Sequence, residues 1–199
     1  MEQSILNSIK QLLLIVFSVV LGLFLSERIE EGKKEREAAL LLSKIKAEVA
    51  VNRQLLQEWA PYHGEIVQRL DSLNNDQQFI TSFIESESAL FEQVLTRGNL
   101  MGDTPSDDAW DIAKSHPLIV YFDYDKLLIL SKIYKQQAGT YKPVPKMIEL
   151  FLSADFNAES QAASNLQTFK NQMREIYSRE MQLMHYMKKA ETILELEEH

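Results

Sequence analysis

Four histidines, at 63, 116, 185 and 199, come first, because imidazole ligates metals and moves protons near neutral pH. None falls in an HExxH or Glu-x-x-His pattern, the helical spacings of zincins and carboxylate-bridged metal centres. His185 stands among Met184, Tyr186 and Met187, which reads as packing. The methionines at 173, 181, 184 and 187 read as adaptable core filling. Asp103, Asp107, Asp108 and Asp111 form a local acidic group without the EF-hand spacing, and helix capping accounts for two of them. The chain contains no Cys, which excludes thiol nucleophiles, thiolate zinc sites and iron–sulfur ligation. It also has no GxGxxG, GxxxxGK[ST] or GxSxG. The expectation is a non-enzyme with no catalytic, cofactor-binding or metal residue; acid–base pairs among the 29 acidic residues need geometry to identify.

A net charge of −8 over 199 residues lacks the basic footprint of nucleic-acid binding, so no nucleic-acid partner is expected. The length suits one domain with an appendage.

The appendage is at the amino end. Leu12 to Leu25 reads LLLIVFSVVLGLFL, without a charge. These 14 residues cover roughly 21 Å as a helix, and extension back to Ile5, with Lys10 snorkelling to the interface, makes the segment long enough to span. A cleaved signal peptide fits poorly: cleavage after Ser26 would put Phe24 where a small residue is wanted. A core helix would rarely be so uniformly apolar and then meet a dense charge run. A single-pass anchor is expected.

Ser18, Gly22 and Ser26 fall four apart on one helix face, and Ser4, Asn7 and Gln11 continue the stripe backwards. Two readings stand. The stripe is a contact face where small residues let helices approach, or small residues fill the helix while Asn7 and Gln11 sit at the water boundary. Only Lys10 and the amino terminus are positive on one side of the span, against Arg28, Lys33, Lys34 and Arg36 on the other. That bias places the body in the cytoplasm.

The fold class expected is all-α. A transmembrane anchor (1–26) leads to a charged juxtamembrane helix (27–37) and a helical bundle domain (38–199) with long coiled-coil-like helices. Leu42, Ile45, Val49, Asn52, Leu56 and Trp59 step by fours and threes, a heptad seam with one polar layer, until Pro61 ends or kinks the helix. Ile66, Leu70 and Leu73 mark a third helix, and Ile80, Phe83, Leu90 and Val94 a fourth from Gln77 to Thr96. Arg97 to Ser106 is a loop, and Leu118 to Phe122 a buried connector. Asp123 caps a helix carrying Leu127, Leu130, Tyr134 and Gln137. The last helix, about Glu159 to Leu196, has the seam Leu166, Phe169, Met173, Ile176, Glu180, Leu183, Met187, Ala190 and Leu194.

The apolar span, the charged run Glu27 to Arg36, LLSKIKAEVAVNRQLL (Leu41 to Leu56) and Ala109 to Gln137, with Trp110, Asp123 and Tyr134 as landmarks, together resemble an uncharacterised bacterial family of single-span membrane proteins, a domain of unknown function. The likeness covers roughly residues 12–137. The chain departs from the pattern after the span: members often carry Asn-Trp where it has Ser26-Glu27-Arg28. The resemblance implies a bacterial inner-membrane setting and no particular activity.

The leading functional expectation is a membrane-anchored homo-oligomeric assembly or scaffold. One alternative is a sensor or accessory subunit that binds a partner protein or small ligand, with Trp59, Tyr62, Trp110, Tyr121 and Phe122 lining the site. Another is a homo-oligomeric pore lined by Asn7, Gln11 and Ser18.

Overall fold

The computed structural model describes the backbone of residues 2–194 and the side chains of residues 11–194. Every regular element among them is helical. The first helix, α1, runs unbroken from Glu2 to Leu73, 72 residues and about 108 Å at ~1.5 Å per residue. Its apolar stretch is a candidate membrane span: none of it is buried against the rest of the chain. Leu12 to Leu25 present their side chains outward, which water disfavours and a hydrocarbon core accepts. At its end Arg28 folds back over the Phe24 ring, 5.4 Å from the centroid, with its charge beyond the apolar run.

No break in the helix marks residue 26 or 37. The charged stretch sustains itself through Glu30–Lys34 at 2.7 Å and Lys33–Glu37 at 3.7 Å, both pairs having glutamate and lysine one turn apart. Packing starts at Ala38, the first buried side chain.

The helix does not end at Pro61, one of the two outcomes expected from the sequence. Its ring and the carbonyl-bearing residue it leaves without a donor, Gln57, are both exposed, so water can take up the lost bond. The flanking Trp59, Ala60, Tyr62 and His63 are buried, and their packing holds the helical course.

Beyond α1 the chain forms α2 (Gln77–Glu85), α3 (Ser88–Gln93), α4 (Asp108–Ser115), a 3-10 turn (Pro117–Tyr121), α5 (Tyr124–Tyr141), α6 (Val144–Phe151) and α7 (Ala162–Leu194). Asp76 and Asp123 cap α2 and α5, each accepting two backbone N–H bonds. The single helix expected from Gln77 to Thr96 is two. Ser86 takes extended backbone angles, and its hydroxyl accepts from Ser88 N–H at 3.2 Å, a local bond that competes with helix continuation. The connector at Leu118 to Phe122 is buried only at Phe122, and Val120 is 78% exposed. A tight 3-10 turn leaves too little room for five consecutive apolar side chains to face one way.

Helix α7 lies against both α1 and α5. It runs antiparallel to α1: Arg53 pairs with Glu191, His63 with Glu180, Asp71 with Arg174 and Asn74 with Gln167. Leu166, Phe169, Met173, Ile176, Leu183 and Met187 of α7 are buried, as are Ile45, Val49, Leu56 and Trp59 of α1; Leu42 is half-buried. Two apolar clusters result. One, nearer the candidate span, gathers Ile45, Val49 and Leu56 with Trp110, Leu130, Leu183 and Met187. The other gathers Ile66 and Leu70 with Phe83, Leu90, Phe156, Phe169 and Met173.

The first cluster is organised by one carboxylate. Glu48 accepts from Tyr134 O–H at 2.6 Å, from Ala109 N–H at 2.8 Å and from Ser106 O–H at 2.9 Å. A residue on α1 thus caps α4 and satisfies the hydroxyl of Tyr134, whose ring stacks on Trp110 at 5.4 Å. Burial, and then the neighbouring Glu48, suppress ionisation of the Tyr134 hydroxyl and keep it a donor. Glu48→Ala should lower unfolding stability by about 3 kcal/mol, because it orphans several donors at once. Glu48→Gln, which keeps one acceptor oxygen, should cost less. Urea unfolding followed by tryptophan fluorescence measures both, and equal, negligible losses would contradict this account of the clasp.

Candidate functional site

The second cluster borders a half-open apolar recess. A cavity of about 360 Å³ lies between α1, α3, α6, α7 and the segment joining α3 to α4. Helix α7 contributes Met173 and Ile176, α6 contributes Met147 and Ile148, the connecting segment contributes Leu95, Leu100 and Met101, and α1 contributes His63. The strong apolar face of α6 follows from VPKMIELF, whose Val144, Met147, Ile148 and Phe151 recur at threes and fours. All four line the cavity, and Ile148 and Phe91 stand half-exposed at its mouth.

At the cavity edge is a buried polar group. His63 is 3% exposed and Glu180 is fully buried. The ring Nδ1 stands 2.8 and 3.0 Å from the two carboxyl oxygens of Glu180, and Nε2 stands 2.8 Å from the carbonyl oxygen of Leu100. Tyr141 O–H donates to Glu180 Oε1 at 3.1 Å. A carbonyl can only accept, so Nε2 carries a hydrogen. One more proton must lie between Nδ1 and the carboxyl group, whichever atom holds it. Imidazole and carboxyl together are therefore uncharged overall, the state that burial favours. The Tyr141 hydroxyl is held un-ionised by burial first and by the adjacent Glu180 second.

His63 also fastens the segment that walls the cavity. Next to it, Tyr62 O–H donates to the Asn99 carbonyl at 3.1 Å and its oxygen accepts from Arg97 N–H at 3.2 Å. The Arg97 guanidinium lies over the Tyr62 and Trp59 rings, 4.7 and 5.3 Å from their centroids. Gly98 turns the chain with φ +76°, a conformation that disfavours side chains. Gly102 runs so close to Trp59 that an added Cβ would sit 3.2 Å from its ring. At the far end, buried Asn52 exchanges bonds with both backbone groups of Ser106, and buried Gln137 donates to the Pro105 and Ser106 carbonyls. Residues 97–106, a loop by composition, are thus a strap tied to α1 at Asn52, Tyr62 and His63.

The polar atoms of His63, Glu180 and Tyr141 are engaged with one another or with the strap. Among the described residues no group of three His, Cys, Asp or Glu side chains could hold a metal ion.

The five aromatics singled out in the sequence do not form one site. Trp59 and Tyr62 on α1 hold the strap, whereas Trp110, Tyr121 and Phe122 belong to the other cluster, which packs on the part of α1 nearer the candidate span. Gln11, Ser18, Gly22 and Ser26 are exposed on the candidate span; Ser18 O–H donates back to the Leu14 carbonyl at 2.8 Å. The side chain of Asn7 lies outside the described residues. Sequence reasoning missed the His63–Glu180 pair. Its signal was a glutamate in the middle of an otherwise apolar seam, which burial permits only with a partner.

No family model, curated protein or solved structure matches this chain.

Two outcomes follow for stability. Glu180→Leu should cost about 3 kcal/mol or more by stranding His63 and Tyr141, and His63→Leu/Glu180→Leu should cost less than the sum of the singles. Additive losses in urea titrations would contradict the pairing. Tyr134 and Tyr141 hold their protons more tightly folded than unfolded, so their contribution is complete below the unfolded value near 10 and falls as pH rises beyond it. The slope should approach about 1.4 kcal/mol per pH unit for each tyrosine. Denaturant midpoints at pH 9 to 11.5 should fall more steeply for the native chain than for Tyr134→Phe/Tyr141→Phe, and parallel curves would contradict this.

Proposed function

We propose that the protein is a membrane-anchored binding protein, a sensor or accessory subunit whose helical bundle takes a ligand or partner group at the cavity beside His63. One observation carries this reading: the helix that bears the candidate span is the same unbroken helix that walls the cavity. Occupancy of the site and the state of the span are then mechanically linked through α1, supported by its coiled-coil-like pairing with α7. The Lys/Arg bias after the span and the family resemblance favour the bacterial inner membrane with the body on the cytoplasmic side.

Native mass spectrometry of the full chain in mild detergent tests this. The expected result is a bound species, a second chain or a small molecule, carried by the native protein and lost from Phe91→Asp/Ile148→Asp. A chain that carries nothing would contradict it.

A second reading, self-association into a homo-oligomer, draws on Gly22. An added Cβ there meets nothing within 4 Å, so the single chain gives this glycine no packing role. Close approach of another helix would supply one. Gly22→Ile should leave the body's stability unchanged and convert most of any oligomer to monomer in detergent-solution mass measurement. An unchanged oligomer would remove this face from the reading.

A further inference from the structure

We propose that the cavity beside His63 is a site for a neutral, unbranched aliphatic chain of about eight carbons, delivered through water rather than from the bilayer. This rests on the binding reading above and names the class of ligand.

The walls decide the first property. Leu100, Met101, Val144, Ile148 and Phe151 present hydrocarbon, thioether and phenyl surface, with buried Leu95, Met147 and Met173 behind them. The polar groups at the edge are already committed: His63 Nδ1 shares a proton with the Glu180 carboxyl group, Nε2 donates to the Leu100 carbonyl, and the Tyr141 hydroxyl donates to Glu180. A polar group placed deep in the cavity would lose water and find no partner there. A charged one would also lie beside a buried pair whose two members compensate each other. Polar groups for a ligand's head remain only at the edge, where exposed Asn99 and Thr104 stand. A hydroxyl, ester or amide suits them.

Size and adaptability decide the second. At roughly the 30 Å³ that one water occupies in the liquid, 360 Å³ holds about a dozen water-sized groups, enough for an eight-carbon chain and its head. Met101, Met147 and Met173 contribute three flexible thioethers to the lining, which can re-form around the many rotamers of an alkyl chain.

The third property comes from α1. His63 follows Leu25, the end of the apolar run, by 38 residues, or ~57 Å along the helix. With α1 along the bilayer normal, a lipid inserted at the span does not reach across that distance. In that orientation the ligand arrives through water and is soluble as a monomer, which short chains are and long-chain lipids are not.

The test uses the full chain in phospholipid nanodiscs with carbon-13 methyl-labelled methionine, titrated with 1-octanol and, separately, octanoate. Met147 and Met173 line the cavity; Met181 and Met184, further along α7, are internal references. The expected result is a saturable shift of the Met147 and Met173 methyl signals with octanol, at least tenfold weaker binding of octanoate, and still references. Ile148→Trp, at a half-exposed rim position that the core does not need, should weaken octanol binding at least tenfold. Overturning results are no shift at the two cavity methionines, equal shifts at cavity and reference methionines, tighter octanoate binding, or full octanol binding by Ile148→Trp. If octanol fails while the native protein still carries another bound species, the aliphatic class falls and the binding reading stands. If both fail, the binding reading falls with it.

Discussion

The main-chain hydrogen bonds of α1 run from Glu2 to Leu73 through three environments: an apolar stretch, a charged stretch and a packed stretch. A helix satisfies its backbone internally, so one continuous element can run through all three stretches, with the Gln57 carbonyl opposite Pro61 left to water. The rest of the chain is arranged along this rod. Packing begins at Ala38, α7 returns antiparallel from Leu70 towards Ala38, and the shorter helices close both ends.

What ties those shorter elements to α1 is a row of polar side chains rather than apolar area alone. Glu48, Asn52, Tyr62 and His63 each reach a partner at least 35 residues away in sequence. Each is committed to a backbone group of the strap or of the start of α4. Hydrogen bonds of this kind contribute little net energy while they are made and cost much when one partner is removed. They fix the position of the strap, and so the shape of the cavity it walls. An apolar interface alone would tolerate sliding; these bonds do not.

The regular parts of this structure were legible in the sequence and the joins were not. The seam of α7 from Leu166 to Leu194 is buried at each position its period marks, because thirty-three helical residues give the 3.6 repeat room to show. Asp123 caps α5, as a short acceptor before an apolar period should. Pro61 misled because a proline's cost depends on whether water reaches the orphaned carbonyl, and exposure is a tertiary property. Ser86 breaks α2 from α3 through one hydroxyl bond that competes with an adequate helical period. The pairing of His63 with Glu180 was invisible at 117 residues' separation, although Glu180 in an apolar seam was its trace.

These features give one physical picture: one unbroken helix carries a candidate membrane span at one end and part of the wall of an apolar cavity further along. The continuity of that helix is the central claim, and the absence of cysteine makes it directly measurable. Spin labels at Glu27→Cys and Glu58→Cys, both exposed and 31 residues apart, bracket the charged stretch in a nanodisc-embedded full chain. Pulsed dipolar spectroscopy should return one narrow distance distribution centred near ~46 Å, the length of an unbroken helix. A broad distribution, or one centred well short of that length, would mean a hinge between membrane and body and would contradict the account.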